Sequence, residues 1–173
     1  MRFLAGLMVV YAAIAISIAE PARQPWLIWN ASGSVPIGLY RVEQRIPGTG
    51  DLAVVRLDPD VAHLANASGY LRGTDYVLKP VAAVGPGTVC RFGSRILIDG
   101  RIVAEAHATD ADQRPMPEWS GCRRLRASEL FLLSPVAGSF DSRYFGPVRG
   151  DMIVGKAVPL WLRSRNFSAS AAG

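Results

Sequence analysis

Ile96-Leu97-Ile98-Asp99-Gly100-Arg101-Ile102-Val103 carries the clearest local signal in this chain. Asp99-Gly100 tolerates the positive φ angles of a tight two-residue turn, so the runs Ile96–Ile98 and Arg101–Ala104 are expected to pair antiparallel across it. On both sides of this hairpin, short apolar runs recur between turn signals roughly every 8 to 12 positions. Ile37–Val42, Leu52–Leu57, Tyr76–Val84, Thr88–Phe92, Leu130–Leu133 and Met152–Leu160 are the further candidate strands. There is no internal repeat, and the expectation is a mainly β, antiparallel protein.

Helix signals after the N-terminal segment are sparse. Asp58 to Gly69 reads as a short connector, with Asp58 as its cap, Pro59 at its first position and Gly69 beyond its end. Between His107 and Ser120 the composition turns to Asp, Gln, Pro and Glu, which suits an exposed excursion from the sheet. The tail from Ser164 is expected to fray. With 173 residues, half of them apolar, the chain fits one domain with a genuine core.

At the N-terminus, Arg2 precedes an apolar stretch from Phe3 to Ala19, and Glu20, Pro21 and Arg23 then restore polarity. A segment apolar all round behind a basic residue is a targeting or anchoring element rather than an amphipathic core helix. Its 17 residues are at the short limit for a membrane span, and Ser17-Ile18-Ala19 offers the small residues of a cleavage site. Signal peptide and retained anchor are both compatible with residues 1–19.

Export places Cys90 and Cys122 in an oxidising compartment where they can pair, although a separation of 32 positions does not fix their distance in space. Neither belongs to a C-x-x-C pair, and His63 and His107 lack metal-ligand spacing, so no metal site is expected. The net charge of +5 comes from arginines scattered along the chain, with one short cluster at Arg123, Arg124 and Arg126. Nucleic-acid surfaces concentrate such charge and interleave aromatics, so direct nucleic-acid binding is not expected.

The commoner enzyme signatures are missing: no histidine neighbours a candidate nucleophile, and neither a Gly-x-Ser-x-Gly elbow nor a phosphate loop occurs. Only two basic residues are lysines, and one of them, Lys79, falls inside the apolar run Tyr76-Val77-Leu78-Lys79-Pro80-Val81-Ala82-Ala83-Val84. Burial there lowers the pKa of an amine, and a neutral lysine can take a proton from a serine hydroxyl. The plainer reading is a lysine that snorkels from a strand edge. Asn30-Ala31-Ser32-Gly33-Ser34-Val35-Pro36-Ile37-Gly38-Leu39-Tyr40 supplies a candidate nucleophile, Ser34, among small residues that leave the backbone open. Alone, Ser34 reads more readily as a turn or cap serine than as a nucleophile.

Ser-Gly-Ser followed by proline just beyond a hydrophobic leader resembles the nucleophile motif of type I signal peptidases, and SVPIGLY is similar to the TraF-like conjugative-transfer peptidases within that superfamily. GDLAVVR at Gly50 to Arg56, the strand carrying Lys79, and Ser139-Phe140-Asp141-Ser142-Arg143-Tyr144-Phe145-Gly146-Pro147-Val148 follow in the order of that family, to about Trp161. The resemblance implies a signal-peptidase-like antiparallel β-sheet fold, with a serine-lysine peptidase domain over residues 20–163 and a small cap or excursion at about residues 93–128. It makes Ser34 the nucleophile, Lys79 the general base and Asp141 a third essential residue. Ser139 would orient the Lys79 amine, Ser32 would supply an oxyanion donor beside the Ser34 N–H, and Asp141 would pair with Arg143 or hold the active-site loops. No cofactor is expected.

The implied function is cleavage of an exported pilin precursor or other membrane-inserted protein at the outer face of the cytoplasmic membrane, in the bacterial periplasm, with cyclisation of the pilin as one fate of the acyl-enzyme. A general type I leader peptidase and a non-catalytic envelope scaffold are the alternatives. Pro80 and Gly85-Pro86-Gly87 depart from the family, which follows its base with Arg and often has a Gly-Asp turn after that strand.

Overall fold

The computed structural model describes residues 24–71 and 73–163, so the leader at residues 1–19 and the tail from residue 164 lie outside the described residues. The described residues form ten strands: β1 (Leu27–Asn30), β2 (Gly38–Glu43), β3 (Leu52–Arg56), β4 (Tyr76–Val84), β5 (Thr88–Phe92), β6 (Arg95–Ile98), β7 (Arg101–Glu105), β8 (Gly121–Arg124), β9 (Leu130–Leu132) and β10 (Ile153–Leu162). Two helices, α1 (Pro59–Ala67) and α2 (Ser142–Phe145), and a 3-10 turn at Gly150–Met152 complete the elements among the described residues. The strands form a six-stranded sheet in the order β1-β2-β10-β3-β4-β9 and a four-stranded sheet in the order β7-β6-β5-β8. All pairings are antiparallel.

Local chemistry explains the elements read from sequence. The β6–β7 hairpin turns at Asp99 (φ 47°) and Gly100 (φ 79°), with Ile98 opposite Arg101, as a two-residue turn requires. Helix α1 is capped by the Asp58 side chain, which accepts from Asp60 N, has proline in its first turn, and is followed by Gly69 at φ 76°. Strand β2 begins at Gly38, where a Cβ would lie 2.2 Å from the Trp161 carbonyl oxygen, so only glycine lets β2 and β10 approach this closely.

Burial alternates along the central strands. Ala53 and Val55 of β3 join a large cluster with Val77, Val81, Phe131 and Phe140, whereas Val54 joins a smaller one with Val42, Leu78 and Val154. Side chains in a strand alternate faces, so Lys79, between Leu78 and Pro80 and paired with Ala53, points to the side of the large cluster. A one-residue slip would exchange every face, and with each buried Val, Leu or Phe worth about 1.5–3 kcal/mol, the apolar residues fix the register and the lysine goes where they put it.

Two strands were not among those read from sequence. β1, Leu-Ile-Trp-Asn, buries only Asn30 and lacks an alternating signal, and β8, Gly-Cys-Arg-Arg, is mostly polar. Its pairing with β5 sets Cys90 opposite Cys122, and the two form a disulfide with a Cα–Cα distance of 4.0 Å. The 107–120 stretch leaves the sheet as expected. It is pinned by Asp110, which accepts from Tyr70 Oη at 2.5 Å and from Arg114 Nε at 2.7 Å.

Candidate active site

Lys79 occupies a core position of β4 and is 7% exposed. Its Nζ donates to Ser139 Oγ at 2.8 Å, and it has no ion pair among the described residues. Burial lowers its pKa from 10.5 to about 8; the Asp141 carboxylate opposes that fall and the Arg143 guanidinium adds to it. A substantial fraction is therefore neutral near pH 8, where a solvated lysine is almost wholly protonated.

Ser34 lies half-buried in the loop between β1 and β2. Asn30, buried at the end of β1, shapes that loop from within: its Nδ2 donates to the carbonyls of Ser32, Val35 and Pro36 at 2.9, 3.1 and 3.1 Å. Its Oδ1 accepts from the backbone N–H and the hydroxyl of Ser32 at 3.2 and 2.9 Å. Tyr40 Oη donates to Pro36 O at 2.6 Å. The Ser32 and Ser34 hydroxyls are 3.1 Å apart and hydrogen-bonded.

The segment from Ser134 to Arg143 follows β9 and is organised by a buried ion pair. Asp141, 0% exposed, accepts from Arg143 Nε at 2.8 Å and from Arg143 Nη2 at 3.0 Å. It also accepts from the backbone N–H groups of Ser134 and Arg143, and so caps α2. Arg143, 2% exposed, reaches back to the carbonyls of Ser134, Val136 and Ala137, and Arg91 of β5 donates to the Arg143 carbonyl at 2.8 Å. Asp141 is thus committed to Arg143 and to the loop. It acts on Lys79 only through its field, and the oxygen that touches the amine belongs to Ser139.

Ser34 and Lys79 come from different sides of the six-stranded sheet. The Ser34 loop follows β1, one edge in the strand order; Ser134 follows β9, the other edge, which pairs with β4. The sheet curls enough for Ser134 Oγ to donate to Ser34 O at 2.8 Å. Val35, next to Ser34, shares the smaller apolar cluster with Leu78, next to Lys79. No hydrogen bond joins Ser34 Oγ to Lys79 Nζ; each hydroxyl or amine is held by a serine instead, Ser34 by Ser32 and Lys79 by Ser139. The six residues singled out from sequence therefore lie in the Ser34 loop, in β4, and in the segment after β9 that runs into α2. Asn30, Ser134 and Arg91 were not singled out, because a lone polar residue at a strand end or in a turn has no periodicity to mark it.

An open cavity of about 450 Å³ adjoins this region, lined by Leu133, Ser134, Pro135 and Ala137 on one side and by Val103 and Ala104 on the other. A larger one of about 660 Å³ lies between Tyr70 and the 107–116 excursion; neither cavity is lined by Ser34, Lys79 or Asp141, and the smaller is the one that takes in Ser134 and Arg143.

A model of the signal peptidase family, peptidase S26, matches residues 1–162 of this chain. The chain belongs to that family. Among its relatives, the conjugal transfer protein TraF of Agrobacterium tumefaciens (strain 15955) is 37% identical over 145 residues, 76% of this chain and 80% of the relative. A probable conjugal transfer protein TraF of Sinorhizobium fredii (strain NBRC 101917 / NGR234) is 34% identical over 140 residues, 74% of this chain and 73% of the relative. A plasmid transfer protein TraF of Escherichia coli is 29% identical over 164 residues, 88% and 91% of the two chains. A signal peptidase I from Enterococcus faecalis V583 superposes only loosely, with a TM-score of 0.37 at 16% identity over 66% of this chain and 98% of that one.

This S26 chain keeps β4 continuous through Pro80, where the family resemblance leads one to expect arginine. Pro80 stands opposite Leu52 and its carbonyl accepts from Leu133 N at 3.0 Å, while Val81 N donates to Asp51 O at 2.9 Å. The missing N–H of proline interrupts no hydrogen bond on which Lys79 depends.

Proposed function

We propose that the chain is a serine endopeptidase that cleaves an exported precursor through an acyl-enzyme at Ser34, with Lys79 as general base. The observation that carries this reading is Lys79: a buried amine, with a pKa of about 8, whose hydrogen-bond partner is a neutral hydroxyl. An amine kept only to stabilise the fold would have been placed against a carboxylate, since an unpaired buried charge is costly.

In the reaction, Lys79 Nζ takes the Ser34 proton as Ser34 Oγ attacks the scissile carbonyl. The oxyanion is met by the Ser34 N–H and the Ser32 hydroxyl. The ammonium so formed, oriented by Ser139, gives its proton to the leaving amine as the tetrahedral intermediate collapses to the ester. Lys79, neutral again, then activates the second nucleophile. Water there releases a carboxylate; the precursor's own amine would instead close a cyclic product, and which of them prevails depends on positioning and water exclusion.

The named relatives act in conjugal and plasmid transfer, and we assign this chain the corresponding task, maturation of a pilin subunit during plasmid transfer. We place it in the bacterial periplasm at the outer face of the cytoplasmic membrane. Trp29 and Trp161, stacked at 5.7 Å and 55% and 54% exposed, and Trp26, 77% exposed just before β1, support this, since tryptophan suits the water–bilayer interface. The apolar stretch Phe3 to Ala19, a few residues before β1, is consistent with it.

The test is mass spectrometry of the pilin precursor coexpressed with wild-type protein, Ser34→Ala or Lys79→Ala. Ser34- and Lys79-dependent trimming is expected, with loss of one water from the trimmed chain if cyclisation occurs. Normal maturation by either variant, purified and folded, refutes the mechanism.

A further inference from the structure

We infer that Ser134 is a positioning residue that aligns Ser34 with Lys79 across the seam between the two edges of the six-stranded sheet; this rests on the peptidase reading above. Ser134 is 2% exposed and uses all of its polar groups. Its N–H donates to Asp141 Oδ2 at 2.9 Å, and its carbonyl accepts from Arg143 Nη2 at 2.7 Å. Its hydroxyl accepts from Val136 N at 3.2 Å and donates to the Ser34 carbonyl at 2.8 Å. The backbone of Ser134 is therefore fixed to the Asp141–Arg143 pair, and its side chain is fixed to the nucleophile.

The other hydrogen bonds of the Ser34 loop cannot do this, and the apolar packing of Val35 with Leu78 sets no direction for the Ser34 carbonyl. Asn30 and Tyr40 belong to β1 and β2 and move with the loop they hold, so they set its shape but not its distance from β4. Among the described residues, the bond from Ser134 is the one hydrogen bond that joins residues 31–36 to β4, β9 or the 134–143 segment. Lys79 is tied to that segment through Ser139. Ser134 and Ser139 thus sit on one short loop, the first gripping the nucleophile's backbone and the second the base.

The grip is on the right atom for alignment. A peptide unit is planar, so holding Ser34 O sets the plane of the Ser34–Val35 amide and limits ψ at Ser34. That in turn limits the directions in which Cβ and Oγ can project. The Ser34 hydroxyl still has to turn from Ser32 to Lys79, and a fixed carbonyl makes that turn a side-chain rotation rather than a loop search. Misplacement of reacting groups by about 1 Å costs on the order of a hundredfold in rate, so loss of the tie is expected to slow acylation about ten- to a hundredfold.

The experiment uses the full-length chain coexpressed with the pilin precursor of the same transfer system. Maturation is followed by pulse-chase for the wild type, Ser134→Ala, Ser134→Thr and Ser34→Ala, and the Lys79 titration is read from lysine labelled with ¹³C at Cε in the purified proteins. Ser134→Ala is expected to slow maturation about ten- to a hundredfold while the Lys79 midpoint stays at its wild-type value, and Ser134→Thr, which returns the hydroxyl, recovers most of the rate. A merely structural role gives a different signature: loss of the loop opens Lys79 to water, and its midpoint rises toward that of a solvated lysine along with the loss of rate. That result, an unslowed Ser134→Ala, or no recovery in Ser134→Thr overturns the inference. If Ser34→Ala matures the precursor as the wild type does, the peptidase reading itself has failed and this inference falls with it; if Ser34→Ala is inactive and Ser134→Ala is not slowed, only the inference falls.

Discussion

Replacing Lys79 with methionine should remove the proposed reaction and should also change how stability depends on pH. The native pKa of about 8 lies below the 10.5 of a solvated lysine because burial penalises the ammonium. A group of this kind binds its proton more tightly in the unfolded chain. Stability is therefore insensitive to Lys79 below about pH 8, rises between about 8 and 10.5 as the native amine alone loses its proton, and levels off above that. A difference of this size corresponds to about 3 kcal/mol, of which about 2 kcal/mol accrues between pH 7 and 9.5. Methionine is of similar volume and does not titrate, so Lys79→Met lacks this gain, and its loss of the Ser139 hydrogen bond is independent of pH. Urea unfolding of both proteins at pH 7 and 9.5, with the disulfide intact, supplies the comparison. Trp119, packed edge-on to Phe131 in the core at 6.1 Å, contributes a fluorescence signal for the transition. The stability of the wild type relative to Lys79→Met should rise by about 2 kcal/mol over that interval, and a difference constant to within about 0.5 kcal/mol would refute a depressed Lys79.

Three further outcomes are expected. Asp141→Asn strands the buried Arg143 charge, lowering stability by about 3–5 kcal/mol in urea unfolding; loss of the carboxylate field should also move the Lys79 midpoint, and with it the acid limb of the rate profile, below about 8. Ser32→Ala, at an exposed loop position, should leave stability within about 0.5 kcal/mol of wild type yet slow maturation about a hundredfold, as removal of an oxyanion donor does. Cys90→Ser with Cys122→Ser opens the loop closed by the disulfide and should cost about 3–4 kcal/mol, seen as a lower urea midpoint, without moving the Lys79 titration.

Most strands were legible because their residues obey one rule, apolar side chains at alternate positions between turn formers. The β6–β7 turn and the cap of α1 were legible for the same kind of reason, since Asp-Gly and Asp-Pro leave few alternative backbone conformations. β1 and β8 break the rule: β1 buries fully only the polar Asn30, and β8 is held by strand pairing and a disulfide rather than by apolar burial. The candidate site was legible in part for the opposite reason, because a lysine inside an apolar strand is a violation that asks for an explanation. The role of Asp141 became specific only in three dimensions. Sequence allowed it to pair with Arg143 or to hold the loops, and the structure has it do both through one carboxylate. Ser134 was not legible at all, because its partner lies 100 residues away and depends on the curl of the sheet.

The proposed chemistry needs Lys79 to be deprotonated within the range in which the enzyme works, and the chain is well suited to a direct measurement because it contains only two lysines. In the Lys156→Arg variant, which retains a cation beside Asp51, Lys79 is the sole lysine. A ¹³Cε-lysine titration of that protein by NMR should give one resonance with a midpoint near 8. A midpoint near 10.5 would mean a protonated, noncatalytic amine and would contradict the serine-lysine mechanism.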